Sequence, residues 1–259
     1  MAPNLPNYDM FRNTLSDEKT TPGAWITLSE PKIAEIFGIA GFPWVLIDLE
    51  HSGISINDAE QHLRILSKFN TIKLCRPTTR STDQIRRLLD AGCDGFIVPM
   101  VETVADLEAV ELPSNFPPKG NRGMGLHPAN GFGHFFDDYV SQQKLSPIII
   151  AQIENAAGVQ NLDEILSFPG LDGIFLGPYD LSLSLGSPGD FEAQEFKDAV
   201  GEVKRLATEK HVPIGIHAIS VDIDQYREFC AAGFNFIACS LDTKMMLDVS
   251  LKFMASSSD

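Results

Sequence analysis

The sequence predicts a (β/α)8 barrel, and three observations lead to this fold class. Short apolar runs alternate with longer stretches of helical periodicity, and this unit recurs eight times along the chain. The apolar runs are nearly continuous in Val, Ile, Leu and Phe, which is typical of parallel strands covered by helices. The length of 259 residues is what one such barrel commonly occupies. We therefore expect residues 1–259 to form a single barrel domain.

The individual elements follow from local signals. The predicted strands are the apolar runs at residues 24–28, 44–48, 72–76, 95–98, 148–152, 173–176, 214–216 and 236–240. Between them, apolar residues recur at spacings of three and four, as in the stretch from Ala59 to Phe69, or a glycine such as Gly92 marks a helix end. The predicted helices are residues 31–40, 58–69, 82–91, 103–110, 162–167, 191–210, 222–232 and 242–253. The first twenty residues are polar, and we expect them to be loosely ordered or docked on a neighbouring molecule.

Two connections are longer than the loops that usually join strands and helices. They span residues 113–147 and 183–190, and both leave from the carboxyl ends of predicted strands. Active sites of barrel enzymes form at that end. The interpretations are a lid, a substrate wall, an oligomer contact, or a surface excursion without a function.

Composition excludes several classes of partner. The formal net charge of −15 argues against binding to nucleic acid or to an anionic membrane surface. No apolar run reaches transmembrane length, residues 1–7 lack a secretory signal, and residues 255–259 match no address signal. The 4 cysteines lack metal-ligand spacing and are too few for a disulfide scaffold. We expect a cytoplasmic protein with free thiols.

Two carboxylates point most directly to chemistry. Glu154 follows the apolar run 148–151, and Asp180 follows the run 173–176. An acid at the end of a buried strand is costly unless it is paired, hydrogen-bonded or bound to a cation. On consecutive parallel strands the two side chains reach one mouth, and oxygen-liganded divalent metal sites are built in this way. The sequence therefore predicts a metal-dependent enzyme.

Other polar residues also gather at strand ends. Asp48, Glu50 and His51 follow the second predicted strand, Arg76 ends the third, and Gln152 ends the fifth. Because the carboxyl ends of barrel strands converge, these residues are expected to share one mouth although they lie far apart in the chain.

These positions carry a family resemblance that runs in order from about residue 23 to residue 246. Its strings are residues 41–51, 76–77, 88–92, 98–102, 117–123, 152–154 and 177–182, the last reading Gly177-Pro178-Tyr179-Asp180-Leu181-Ser182. The chain resembles the HpcH/HpaI aldolase family, whose members are class II pyruvate-forming aldolases such as those for 4-hydroxy-2-oxoheptanedioate and 2-dehydro-3-deoxyglucarate. The resemblance implies reversible cleavage of a 4-hydroxy-2-oxo acid to pyruvate and an aldehyde.

The resemblance also implies roles for individual residues. Glu154 and Asp180 are the implied ligands of a divalent metal, Mg²⁺ or Mn²⁺ with Co²⁺ as a further candidate, and the metal stabilises an enolate. Arg76 would share the charge on the keto oxygen. His51 is the implied general base.

Further implied roles concern the support of the base and the binding of the substrate. Asp90 would orient His51, and Asp48 would support the same network. Gln152 would hydrogen-bond near the substrate, and backbone groups around Gly177 and Pro178 would receive its carboxylate at the start of a short helix.

The family pattern extends to assembly and also shows two departures. The resemblance implies a homohexamer with exchanged C-terminal helices, for which residues 242–253 are apolar enough. Tyr179 stands where many members carry a small residue, and it is expected to narrow or reshape the pocket. Residues 127–133 lack an arginine that members often carry in the long connection. This absence argues against a preference for an acidic aldehyde.

Structural interpretations stand beside the catalytic ones. Glu50 could cap or pair with a neighbouring cation, Arg76 could form a plain ion pair, and His51 could be a structural hydrogen-bonder. Asp90 could be a helix-end charge. His217, at the end of the seventh predicted strand, could be packed, solvent-facing or in contact with substrate.

Two classes of alternative function remain open from the sequence, and one competing mechanism is disfavoured. The same residues could decarboxylate oxaloacetate or use the enolate as macrophomate synthase does. A protein that binds 2-oxo acids without catalysis is an alternative from another class. A Schiff-base aldolase would need a lysine inside the barrel, but Lys73 lies three positions before Arg76 and is expected to face outward if Arg76 faces inward.

Overall fold

Eight parallel strands close into a barrel in a computed structural model that describes residues 8–16, 20–143, 146–220 and 222–256. Each strand pairs with the next in sequence, and β1 pairs with β8 to close the barrel. The strands are β1 Thr21–Ile26, β2 Trp44–Asp48, β3 Ile72–Arg76, β4 Gly95–Val98, β5 Ile148–Ile153, β6 Gly173–Leu176, β7 Ile214–Ala218 and β8 Phe236–Leu241. The predicted fold class is confirmed. The expectations for residues 1–7 and 257–259 lie outside the described residues.

Helices follow the strands and cover the outside of the barrel, except for the first helix, which precedes β1. They are α1 Tyr8–Ser16, α2 Lys32–Ala40, α3 Ile56–Leu66, α4 Thr82–Ala91, α5 Val104–Ser114, α6 Phe136–Gln143, α7 Ala156–Gln160, α8 Leu162–Leu166, α9 Pro178–Ser184, α10 Gln194–Glu209, α11 Ile223–Ala231 and α12 Asp242–Ser256. Within the described ranges, no helix combines the length and the apolar character that crossing a bilayer requires. The four cysteines are free thiols.

Two apolar layers result from the alternation of side chains along each strand. The outer layer packs strands against helices and includes Val45, Ile47 and Cys75. The inner layer fills the barrel with Trp25, Trp44, Leu46, Ile72, Leu74, Ile97, Ile148, Ile150, Phe175, Phe236 and Ala238. Because Leu46 and Leu74 point inward, residues two positions further along their strands also point inward, at the mouth of the barrel.

The amino-terminal helix α1 closes the opposite end of the barrel. Tyr8, Phe11 and Leu15 are buried in the inner layer, at 0–2% exposure. Arg12 Nε lies 2.6 Å from Asp172 Oδ1, and Arg12 Nη2 donates to the Ser146 carbonyl at 3.0 Å. The prediction of loose or intermolecular placement was therefore wrong for residues 8–16. These apolar residues recur at spacings of three and four, a helical pattern that the polar surroundings obscured.

Strand β1 lies earlier in the chain than the apolar run suggested. It ends at Ile26 because the N–H groups of Thr27 and Leu28 both donate to Asp242 Oδ2 at 2.9 Å instead of to a neighbouring strand. The short helix α7, which was not predicted, begins at a capping residue: Asn155 Oδ1 accepts from the Gly158 N–H at 2.7 Å.

The role of α1 as the floor of the barrel can be tested with Phe11→Ala. Truncation of a fully buried phenylalanine is expected to lower the free energy of unfolding by about 3–5 kcal/mol because it leaves a cavity in the inner layer. Chemical denaturation measures this change. Asn13→Ala, at an exposed position of the same helix, is the control and should change stability little. Equal stabilities of the two variants would show that α1 does not seal the barrel.

Candidate active site

A buried ion pair joins the ends of β2 and β3. Asp48 and Arg76 are direct neighbours in the strand register. Arg76 Nε donates to Asp48 Oδ1 at 2.9 Å, and Arg76 Nη2 donates to Asp48 Oδ2 at 2.6 Å. Trp25 Nε1 also donates to Asp48 Oδ2, at 3.1 Å, and the guanidinium lies over the Trp25 ring. Burial alone would raise the pKa of Asp48, but these donors hold it below its ordinary value.

The loop after β2 is shaped by the same carboxylate. The N–H groups of Glu50 and His51 donate to Asp48 Oδ1 at 3.0 and 3.4 Å. Glu50 Oε2 lies 3.2 Å from Arg76 Nε, which is the pairing with a cation that the structural interpretation of Glu50 allowed. The His51 side chain is 68% exposed, and its Nε2 lies 4.0 Å from Glu50 Oε2. Asp48 therefore positions both the guanidinium and the segment that carries His51.

Strand β5 delivers Gln152 and Glu154 to the mouth. Glu154 is buried, and its Oε1 accepts from the Met100 N–H at 2.6 Å while its Oε2 accepts from Gln152 Nε2 at 2.6 Å. Burial raises the pKa of Glu154 to about 7, and repulsion from Asp180 and Glu50 adds to the effect of burial. Gln152 Oε1 is buried and has no hydrogen-bond partner among the described residues.

The corner between β6 and α9 approaches Glu154 closely. A Cβ atom at Gly177 would lie 2.6 Å from Glu154 Cβ and 2.8 Å from its Oε2, so only glycine fits here. Asp180 is exposed in the first turn of α9. The Gly177 N–H already donates to the Ile153 carbonyl at 3.0 Å, and Pro178 has no N–H. The free N–H donors of this turn therefore begin at Tyr179, and the reception of a carboxylate by backbone groups around Gly177 and Pro178 stays a prediction.

These elements enclose a cavity of about 270 Å³ at the carboxyl ends of the strands. Its lining residues are Trp25, Thr27, Asp48, His51, Arg76, Gln152, Phe175, Leu176, Gly177, Pro178, Tyr179, Asp180, His217, Ile219 and Leu241. Glu154 borders the cavity through its hydrogen bond to Gln152. Of the candidate site residues named from the sequence, all except Glu154 and Asp90 line this cavity.

Asp90 makes no contact with His51 among the described residues, and its orienting role stays a prediction. Asp90 Oδ1 accepts from Arg122 Nη2 at 2.7 Å and lies 3.3 Å from His127 Nε2. Arg122 also donates to the Tyr139 hydroxyl at 2.8 Å. Asp90 thus fastens the long β4–β5 connection to α4. No described residue of that connection lines the cavity, so nothing in this chain supports the lid or wall interpretation.

The donor set fits a divalent cation. Four carboxylates, those of Asp48, Glu50, Glu154 and Asp180, act on one another at the mouth, and Arg76 compensates only part of their charge. In the described part of the chain, no group of three or more His, Cys, Asp or Glu side chains is arranged to hold a metal. A site on Glu154 and Asp180 would therefore offer two protein ligands and leave positions for substrate and water, as hard cations such as Mg²⁺ accept.

Sequence reasoning missed several residues of the cavity. Trp25 and Thr27 had no role assigned, although both stand at the carboxyl end of β1. Glu50 does not line the cavity but contacts Arg76 from the side, at 3.2 Å from Nε. Lys73 was interpreted correctly: it belongs to the outer side of β3 and pairs with Asp94 at 2.7 Å, away from the mouth.

Comparisons with known proteins point to one enzyme family. The family model described as HpcH/HpaI aldolase/citrate lyase matches residues 22–248. A hydroxypyruvate/pyruvate aldolase of Roseobacter denitrificans is 32% identical over 247 residues, covering 95% of each chain. A 5-keto-4-deoxy-D-glucarate aldolase of Shigella dysenteriae is 35% identical over 241 residues, covering 91% of this chain and 93% of the relative.

Solved structures show the same architecture. An HpcH/HpaI aldolase/citrate lyase family protein from Burkholderia cenocepacia has a TM-score of 0.89 and 28% identity, covering 96% of this chain and 99% of its own. Macrophomate synthase shares the fold, with a TM-score of 0.81, 24% identity and coverage of 95% of this chain and 89% of its own.

The dependence of the site on the buried ion pair can be tested with Asp48→Asn. Removing one partner leaves the Arg76 charge buried, so the free energy of unfolding is expected to fall by about 3 kcal/mol. Glu50→Gln is the control, because Glu50 contacts Arg76 through one atom and is less buried; its effect should be about 1 kcal/mol or less. Urea denaturation of both variants checks the difference. Equal losses of unfolding free energy in the two variants would contradict the central position of Asp48.

Proposed function

This chain belongs to the HpcH/HpaI aldolase/citrate lyase family, and on that premise we propose that it is a metal-dependent class II aldolase. It reversibly cleaves a 4-hydroxy-2-oxo acid into pyruvate and an aldehyde. The aldolase names of its relatives support a carbon–carbon lyase. The observation that carries the proposal is that Arg76, His51 and Asp180 line one cavity, while Glu154 lies beside it on Gln152 and close enough to Asp180 for their charges to repel.

Glu154 and Asp180 are the proposed ligands of the cation, with Mg²⁺ or Mn²⁺ as the first candidates and Co²⁺ as a further one. When bound, the cation supplies a Lewis acid that polarises the keto group and stabilises negative charge on it. Gln152 holds Glu154 in place, and its unpartnered Oε1 is an acceptor beside the same point.

Arg76 is the proposed second stabiliser of charge on the keto oxygen. Its Nε and Nη2 are engaged by Asp48, while Nη1 has no acceptor among the described residues. A guanidinium that is locked on one side and free on the other is a preorganised donor, and such donors stabilise charge that develops during a reaction.

His51 is the proposed general base. It lines the cavity on an exposed loop, where it can reach a hydroxyl proton of a bound substrate. In the cleavage direction His51 takes the proton of the 4-hydroxyl group, the C3–C4 bond breaks, and its electron pair stays on the pyruvate fragment as an enolate. The enolate then takes a proton at C3 to give pyruvate.

The corner between β6 and α9 is proposed to select substrates by their shape. Gly177 and Pro178 form one wall of the cavity, and Tyr179 stands at its edge with its ring at 5.0 Å from that of Phe191 in an edge-on contact. The large Tyr179 side chain narrows the space beside the proposed metal ligand Asp180.

The alternatives differ in how well the contacts support them. Lys73 is held by Asp94 outside the barrel, which argues against a Schiff base formed by this lysine. Oxaloacetate decarboxylation would use the same enolate and the same residues, so assays should include oxaloacetate. Binding of 2-oxo acids without catalysis would leave the base His51 without a role.

A homohexamer with exchanged C-terminal helices is the proposed assembly. Helix α12 buries only Asp242, while six large apolar residues are exposed along it: Met246, Leu247, Val249, Leu251, Phe253 and Met254. An apolar cavity of about 500 Å³, lined in part by Phe42, Ile223 and Tyr226, lies at the start of α12 and could receive a partner's helix. The free thiols agree with the cytoplasm as the proposed compartment.

Metal dependence can be tested by chelation. Treatment with EDTA is expected to abolish formation of pyruvate from 4-hydroxy-2-oxo acids, and Mg²⁺ or Mn²⁺ should restore it. Asp180→Asn and Glu154→Gln should each lower kcat/KM by at least about a thousandfold, since charge stabilisation in the transition state is lost. A coupled assay for pyruvate measures these rates, with oxaloacetate as a parallel substrate.

The matched control is Glu164→Gln, which neutralises an exposed carboxylate on α8 and should leave the rate unchanged. Full activity in EDTA, or an unchanged rate in Asp180→Asn, would rule out the metal mechanism. Turnover of oxaloacetate alone would favour decarboxylation instead.

The assembly can be tested on α12. The double variant Leu247→Asp, Phe253→Asp is expected to separate the subunits, because charges would lie in an apolar contact. Light scattering coupled to size-exclusion chromatography measures the mass. Ser250→Asp places the same charge at an exposed polar position of the helix and should leave the mass unchanged. A wild-type monomer would overturn this part of the proposal.

A further inference from the structure

His217 lies in the cavity without a role in the reaction proposed above. It is on β7, where its neighbour Ile216 belongs to the outer apolar layer, so His217 points inward. The ring lines the cavity together with Trp25 and Arg76. A histidine that borders the cavity and has no role in the reaction is available to contact the substrate.

The His217 ring is held from two sides. It stacks on Trp25 with ring centroids 4.8 Å apart and an interplanar angle of 21°. In the strand register it stands beside Ala238, which is small enough to leave room for the two rings. The ring also interacts with the Ser240 backbone. Since Nε2 has no partner among the described residues, we assign this interaction to Nδ1.

A bulge in β8 creates this contact. Between the register pairs Gly23–Ala238 and Trp25–Leu241, β1 advances two residues while β8 advances three. Ser240, in the extra stretch, is buried and adopts φ 62°, a value rare for residues other than glycine. Its hydroxyl donates to the Ile219 carbonyl at 2.8 Å. Bulges near active sites commonly redirect backbone groups, and this one presents the Ser240 backbone to His217.

Nε2 of the neutral His217 ring can only accept a hydrogen bond. Burial lowers the pKa of His217 to about 4, so the ring is neutral near pH 7. With the proton on Nδ1, Nε2 carries a lone pair. Nε2 is buried and has no hydrogen-bond partner among the described residues. A buried acceptor without a donor is unfavourable, and therefore a bound molecule that brings a donor is favoured over one that does not.

We propose that Nε2 of His217 accepts a hydrogen bond from a hydroxyl group of the substrate, and that His217 thereby selects hydroxylated substrates over their deoxy analogues. This inference rests on the proposed function. The keto group, the ionised carboxylate and the aldehyde carbonyl are all acceptors, and the proton of the 4-hydroxyl group goes to His51, so none of these groups can satisfy Nε2. A further hydroxyl group can, whether it belongs to the 2-oxo acid, as in hydroxypyruvate, or to the aldehyde, as in glycolaldehyde.

Two matched pairs of substrates locate the hydroxyl group. In one arm hydroxypyruvate is compared with pyruvate against a common aldehyde. In the other arm glycolaldehyde is compared with acetaldehyde against a common 2-oxo acid. The wild-type enzyme is expected to favour the hydroxylated member of one pair by about tenfold or more in kcat/KM. Without the hydroxyl group, Nε2 of His217 stays unpaired. The arm that shows the preference identifies which reactant, the 2-oxo acid or the aldehyde, carries the hydroxyl group that His217 binds.

Two variants assign the preference to Nε2. His217→Phe keeps a ring against Trp25 but removes the acceptor, and it should reduce the preference by about tenfold. His217→Gln offers a carbonyl acceptor and should restore part of it. Thermal unfolding of both variants verifies that they fold; if the phenylalanine variant does not, the glutamine variant is compared with His217→Leu.

Titration calorimetry of the same ligand pairs with Mg²⁺ present supplies a readout that does not require turnover. A wild-type enzyme without a preference in either arm would overturn the proposal. So would an equal loss on both members of both pairs in His217→Phe, since that pattern indicates a general role in packing or in catalysis. An enzyme that cleaves no carbon–carbon bond but binds the hydroxylated ligand more tightly through His217 would refute the proposed function and retain this inference.

Discussion

The ion pair between Asp48 and Arg76 is the contact on which the arrangement of the site depends. Adjacent strands hold the two side chains in register, and burial makes their two hydrogen bonds hard to replace. Through its second set of contacts Asp48 also holds the Trp25 ring and the segment with His51. One carboxylate therefore fixes the proposed charge stabiliser, the proposed base and the aromatic wall on which His217 stacks.

The rest of the mouth carries more negative charge than Arg76 compensates. Glu154 is buried between the Met100 N–H and Gln152, and its pKa is raised to about 7 by burial and by repulsion from Asp180 and Glu50. A divalent cation at this point would relieve the repulsion and favour the ionised form of Glu154. The same charge that makes the site unfavourable without a cation thus makes it a suitable place for one.

The barrel and most of the candidate site could be predicted from the sequence because both follow from local patterns. Strand alternation places Arg76, Gln152 and Asp48 inside, and the carboxyl ends of parallel strands converge. Contacts between distant segments could not be predicted: Asp90 pairs with Arg122 of a long connection. The environment of His217 depends on a bulge in β8, for which the sequence carries no clear signal.

The most direct test of the account is the exchange of pyruvate methyl protons in D₂O without an aldehyde, followed by proton NMR. Formation of the enolate is the step that the two acids and Arg76 are arranged to promote. The account predicts rapid exchange with Mg²⁺ or Mn²⁺, no exchange above the uncatalysed rate in EDTA, and loss of exchange in Asp180→Asn. Exchange that persists in EDTA, or that survives in Asp180→Asn, would contradict it.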